Sequence, residues 1–129
     1  MTRFLLVAAG GAAGAMARYA LGLAVIRLGP GLAWPVGTLT INVVGGLLMG
    51  LLAGWIALRA GAGVDHERLR LLLGVGLLGG FTTFSAFSLE IALLIERRQL
   101  GLAAAYVGLS VVLSVAALFA GLMIARRLW

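Results

Sequence analysis

The chain has 129 residues; 63% are hydrophobic, 11% are charged, and the mean hydropathy is +1.15. A soluble domain of this size cannot cover so much apolar surface with so few charges, and disordered chains have the opposite composition, so a bilayer protein remains. The formal charge of +6 comes from ten arginines against four acids, and such arginines flank apolar segments at the headgroups rather than forming a nucleic-acid surface.

One span needs roughly 20 apolar residues, so the length allows at most four. The first is predicted over 4–26. Its start resembles a signal peptide, but the apolar run continues past Arg18. Residues 28–34, with Gly29, Pro30 and Gly31, read as a turn. Pro35 suits the first turn of a second span over 35–58. Residues 59–70 are the most polar stretch and hold His66, the single histidine. A third span is expected over 71–95, a tight connection over 96–99, and a fourth span over 100–125. The fold class is thus an all-α membrane protein, one four-span domain with no soluble domain. With no cysteine and one histidine, disulfides, thiol nucleophiles and a multi-histidine metal site within one chain are excluded.

Four spans place both termini on one side. That side carries Arg3, Arg59, Arg68, Arg70, Arg126 and Arg127; the other carries Arg27, Arg97 and Arg98. The bias favours cytoplasmic termini without excluding insertion both ways. Glycines recur at four-residue spacing: Gly10 and Gly14; Gly46, Gly50 and Gly54; Gly76 and Gly80. Such stripes let backbones approach closely, within one chain or between chains. Four spans do not easily enclose a polar path, so a homo-oligomer is expected.

The polar residues at membrane depth are few and patterned. Thr38 and Asn42 share a face of span two. An amide in hydrocarbon is either paired between helices or faces water. Arg18 lies inside span one, where it snorkels or charges a vestibule. Tyr106, Ser110 and Ser114 make one hydroxyl stripe on span four. The segment Gly79-Gly80-Phe81-Thr82-Thr83-Phe84-Ser85-Ala86-Phe87-Ser88 puts glycines and threonines mid-span and predicts a helix break. Backbone groups freed at that depth must line a cavity or meet an ion. Phe84 and Phe87 share a face beyond the break. They serve either ordinary packing or, through their positive edges, a small anion. Glu90, one turn on, either pairs with an arginine or an N–H at the rim, which is expected, or does proton chemistry.

On these residues the chain resembles the fluoride channel family of Fluc or CrcB type. The matching blocks are Gly10 to Ala15 with Arg18-Tyr19; Pro35 to Leu39 with Asn42 and Gly45-Gly46; Gly79 to Ser88 with Glu90; and the Tyr106, Ser110, Ser114 stripe. The resemblance implies four transmembrane helices with a break in the third. It implies an antiparallel, dual-topology homodimer in the cell (inner or plasma) membrane, with two pores that let cytoplasmic fluoride leave passively. It implies a structural Na⁺ at the dimer centre, held by the backbone carbonyls of Gly79 and Thr82. It assigns the fluoride pathway to Asn42, Phe84, Phe87, Ser85, Thr38, Tyr106, Ser110, Ser114 and, in the vestibule, Arg18. Ala86 departs from the threonine of many members.

The competing reading is a small dual-topology multidrug/proton antiporter. Such exporters need an acid in the first span, where this chain has Arg18. A purely structural subunit would not need aligned polar stripes. No nucleophile–base pair or metal cluster points to an enzyme.

Overall fold

The computed structural model describes residues 1–28, 35–59 and 65–128. Most of the turn expected over 28–34 lies outside the described residues, as do residues 60–64. The described elements are all helical: α1 (Thr2–Leu28), α2 (Val36–Leu58), α3 (His66–Leu69), a π-helical stretch (Arg70–Leu78), α4 (Gly79–Phe81), α5 (Phe84–Glu96) and α6 (Leu100–Leu128). Four segments are long and apolar enough to cross a membrane: Thr2–Arg27, Val36–Leu58, His66–Glu96 and Leu100–Leu128.

The third segment starts at His66, five residues before the apolar run beginning at Leu71. The reason is local. The Asp65 side chain caps α3 by accepting from the Arg68 N–H at 3.1 Å and pairs with the Arg68 guanidinium at 2.9 Å. Arg3 pairs with Glu67 at 3.3 Å, fastening α1 to α3 at the rim. Both pairs are exposed and contribute little stability.

The helices pack in two close pairs: α2 on α6, and α1 on the π-helical stretch and α4. Glycine makes both possible. A Cβ on Gly46 would stand 2.6 Å from the Ser114 carbonyl oxygen, and one on Gly50 would enter the Leu118 carbonyl. Gly121 answers from α6 against Leu47 and Leu51. A Cβ on Gly80 would stand 2.6 Å from the Gly11 carbonyl oxygen, and one on Gly76 would stand 2.9 Å from the Gly10 Cα. The four-residue glycine stripes are therefore spent on contacts inside the chain, where van der Waals packing of bare backbone replaces the missing hydrophobic drive in lipid.

A short turn joins α5 to α6. Arg98 takes the left-handed conformation, φ 58°, while its N–H bonds the Ile95 carbonyl and the Gln99 N–H bonds the Leu94 carbonyl, both at 2.9 Å. That is the Schellman ending of a helix, with arginine at the position usually held by glycine.

Candidate functional site

The third membrane segment is not helical throughout. Thr82 (φ −75°, ψ 157°) and Thr83 (φ −150°, ψ 116°) are extended between α4 and α5. Their side chains stabilise the two flanking ends. The Thr82 hydroxyl donates to the Leu78 carbonyl at 3.0 Å. The Thr83 hydroxyl accepts from the Ala86 N–H at 3.2 Å, capping α5. α2 reaches this point because Gly45 has no side chain; a Cβ there would run into the Thr82 methyl group.

Asn42 meets Thr83 across that contact. The Thr83 N–H donates to Asn42 Oδ1 at 3.0 Å, and Asn42 Nδ2 donates to the Thr83 carbonyl at 3.2 Å. This pairing has two chemical effects. An amide carries two N–H donors, so one remains for whatever stands beside Asn42. And the backbone donors are diverted. In a continuous helix the Thr83 N–H would bond the Gly79 carbonyl and the Ala86 N–H the Thr82 carbonyl. They go instead to Asn42 Oδ1 and the Thr83 hydroxyl. The carbonyls of Gly79 and Thr82 lose those donors, and Gly79 lies exposed on the surface of the chain.

Beside the pairing lies a cavity of about 310 Å³, lined by Asn42, Thr83, Phe84, Phe87, Ser110 and Ser114, with Thr82, Val111 and Val115 completing the wall. Among the described residues, no charged side chain lines it. The hydroxyl oxygens of Ser110 and Ser114 are buried and find no hydrogen-bond partner among the described residues. Buried hydroxyls are normally satisfied, so these two stand out on the wall. The two phenylalanines differ. Phe87 is 7% exposed and packs on Tyr106 with ring centroids 5.3 Å apart. Phe84 is 78% exposed, its centroid 5.6 Å from that of Phe87. Ser85 is exposed as well, its hydroxyl 3.3 Å from that of Thr83.

Thr38 and Tyr106 lie outside this wall. Their hydroxyls both donate to Glu90, from Thr38 to Oε1 and from Tyr106 to Oε2, each at 2.6 Å. The rim partner expected for Glu90, an arginine or an N–H, is replaced by two hydroxyls from α2 and α6. These two short hydrogen bonds tie α2, α5 and α6 together one turn beyond the cavity. Tyr106 is fully buried in a cluster with Phe87, Leu94 and Ala103. Arg18 is half-buried on α1 and is not among the cavity-lining residues. The site thus gathers Asn42, Phe84, Phe87, Ser110 and Ser114, holds Ser85 at its edge, and leaves Thr38, Tyr106 and Arg18 apart. Spacing alone could not reveal the Asn42–Thr83 pairing or the Glu90 clamp, because both cross between helices distant in sequence.

Among known proteins, the model of the family described as CrcB-like protein, Camphor Resistance (CrcB), matches residues 5–122. A protein of Phenylobacterium zucineum named fluoride-specific ion channel FluC is 65% identical over 130 residues, covering 100% of this chain and 99% of its own length. A protein of the same name from a Caulobacter species is 61% identical over 129 residues, with 100% and 98% covered. Another from Agrobacterium fabrum is 48% identical over 130 residues, with all of both chains covered.

Proposed function

The chain belongs to the CrcB family, and we propose that it is a fluoride-specific ion channel of the multi-pass membrane type, as its relatives are named. The observation that carries the reading to this chain is the cavity beside the helix interruption. It offers donors without a fixed charge: the spare N–H of Asn42, the unpaired hydroxyls of Ser110 and Ser114, and the ring edges of Phe84 and Phe87. Fluoride holds its water strongly, so a path for it must replace those hydrogen bonds. Neutral donors do so while binding weakly enough to let the ion leave. Aromatic rings present positive edges to an anion.

In this reading Ser85 extends the path, Arg18 gathers anions at a vestibule, and Thr38 and Tyr106 act through Glu90. The working unit is an antiparallel, dual-topology homodimer with two pores. The exposure of Phe84 supports it, since a pore wall open to lipid would not conduct. The released carbonyls of Gly79 and Thr82 fit a hard cation, which takes oxygen ligands. These two residues from both copies would hold a structural Na⁺, whose charge would satisfy carbonyls that hydrocarbon leaves bare.

Export follows from acid–base chemistry. HF crosses membranes as a neutral acid, ionises at neutral cytoplasmic pH and is trapped as the anion. A passive pore lets it leave down its gradient. The test is fluoride efflux from liposomes holding the purified protein, with chloride as control. Fluoride flux without proton coupling is expected. Chloride flux alone, or strict coupling to protons, would overturn the reading and favour an antiporter.

A further inference from the structure

We propose that the rim where α1 and α3 begin binds a zwitterionic phospholipid headgroup with a primary ammonium, as in phosphatidylethanolamine, its phosphate on Arg68 and Arg3 and its ammonium on Glu67. The first and third membrane segments run side by side in the same direction. The Gly10 backbone abuts Leu72 and Gly76, and the Gly14 backbone, one turn on, abuts Leu77 and Phe81. Between their first turns lies a cavity of about 210 Å³. Arg3, Asp65, Glu67 and Arg68 line it, together with Thr2. Leu6 and Leu71 line it too, and each stands near the start of an apolar run. Charged groups at the head of two spans, with leucines just below them, place the cavity at the depth of lipid headgroups.

The four charges form two exposed pairs, and these leave bonding capacity unused. Arg68 gives its Nε to Asp65 Oδ2 at 2.9 Å, so both terminal nitrogens of that guanidinium remain. Arg3 reaches Glu67 Oε1 through one nitrogen at 3.3 Å, and Glu67 Oε2 takes part in no ion pair among the described residues. Asp65 is committed to Arg68 through both oxygens and fixes its position. Two guanidiniums thus stand against two carboxylates around one space. A headgroup with only negative charge would meet the carboxylates, which is repulsive. A zwitterion satisfies both signs. The guanidinium fork matches phosphate oxygens, and a primary ammonium brings N–H donors for Glu67 Oε2. The quaternary ammonium of phosphatidylcholine has no N–H to give, so the site should tell the two zwitterions apart.

The test offers the full-length protein in detergent three lipids with identical acyl chains: phosphatidylethanolamine, phosphatidylcholine and phosphatidylglycerol. Bound lipid is counted by native mass spectrometry. Phosphatidylethanolamine should be held about tenfold more tightly than either of the others, the worth of one hydrogen bond to a charged group. Glu67→Gln should bring it down towards phosphatidylcholine, and Arg68→Gln should weaken both zwitterions alike. Equal retention of all three lipids would overturn the proposal. Tightest binding of phosphatidylglycerol, lost with Arg68→Gln, would make the rim an ordinary anionic-lipid contact and overturn it too. An unchanged preference in Glu67→Gln, with thermal unfolding as in the unaltered protein, would overturn the ammonium seat. The lipid series on the unaltered protein decides the matter without any variant, so a misfolded variant leaves no gap. No readout here measures ion flux, so the result stands apart from the channel reading.

Discussion

Asn42 and Thr83 are joined at two points, with the Thr83 N–H held by Asn42 Oδ1 at 3.0 Å and the Thr83 carbonyl held by Asn42 Nδ2 at 3.2 Å. A side-chain amide here does the work of a missing helical turn. It satisfies a peptide group that would otherwise stand bare at membrane depth. The same residue also lines the cavity. In the channel reading proposed above, Asn42 serves both structure and transport, and substitutions test this.

Asn42→Ala removes both hydrogen bonds and leaves the Thr83 peptide unpaired. Stability should fall by about 1–3 kcal/mol, and fluoride flux should fall with it. Asn42→Asp keeps the acceptor for the Thr83 N–H but loses the donors, so it should retain more stability than alanine while still losing flux. Thermal unfolding in detergent and liposome efflux measure the two effects.

Phe84 and Phe87 should separate the two readouts in another way. Both Phe84→Ile and Phe87→Ile should lower fluoride efflux while the protein stays folded. Only the second should destabilise the subunit, by about 1–3 kcal/mol, because Phe87 is buried against Tyr106 and Phe84 is not. Unchanged efflux in both variants would reduce the rings to packing.

Ser110→Ala and Ser114→Ala test the orphaned hydroxyls. Neither oxygen has a partner among the described residues, so no hydrogen bond between them is lost. Stability should hold or rise, by up to about 1 kcal/mol. Efflux should fall, most in the double variant. A loss of stability with unchanged efflux would assign these hydroxyls to structure.

Arg98→Gly should stabilise the protein by about 1 kcal/mol, since glycine takes φ 58° without the clash a side chain suffers. Fluoride efflux should not change, because the turn lies at the far end of α5 from the cavity. The measurement is thermal unfolding of the two proteins side by side.

Much of the architecture was legible in the sequence. Apolar runs bounded by arginines gave four membrane-length helices, and the Gly79-to-Ser88 block drew attention to the segment that holds the extended threonines. The glycine stripes were legible as contact faces, but not their partners. Spacing places Gly46 and Gly50 on one side of α2 without saying that α6 lies there. The stripe of Tyr106, Ser110 and Ser114 reads as one set. The fold divides it, because Tyr106 finds Glu90 while the two serines find no partner. The early start at His66 depended on a cap by Asp65, a local bond that hydropathy does not register.

The glycine seam between α2 and α6 has a further meaning for the space it borders. Asn42 stands on one of these helices and Ser110 and Ser114 on the other. Close by, the two main chains touch at Gly46, Gly50 and Gly121 with no side chain between them. Side chains change rotamer, but backbones in contact do not compress or drift apart without dismantling the pair. The width across which those donors face each other is thus a gauge cut in main chain. In the channel reading proposed above, a spacing set by main chain would resist the small adjustments side chains make, which discrimination between halides by radius would require.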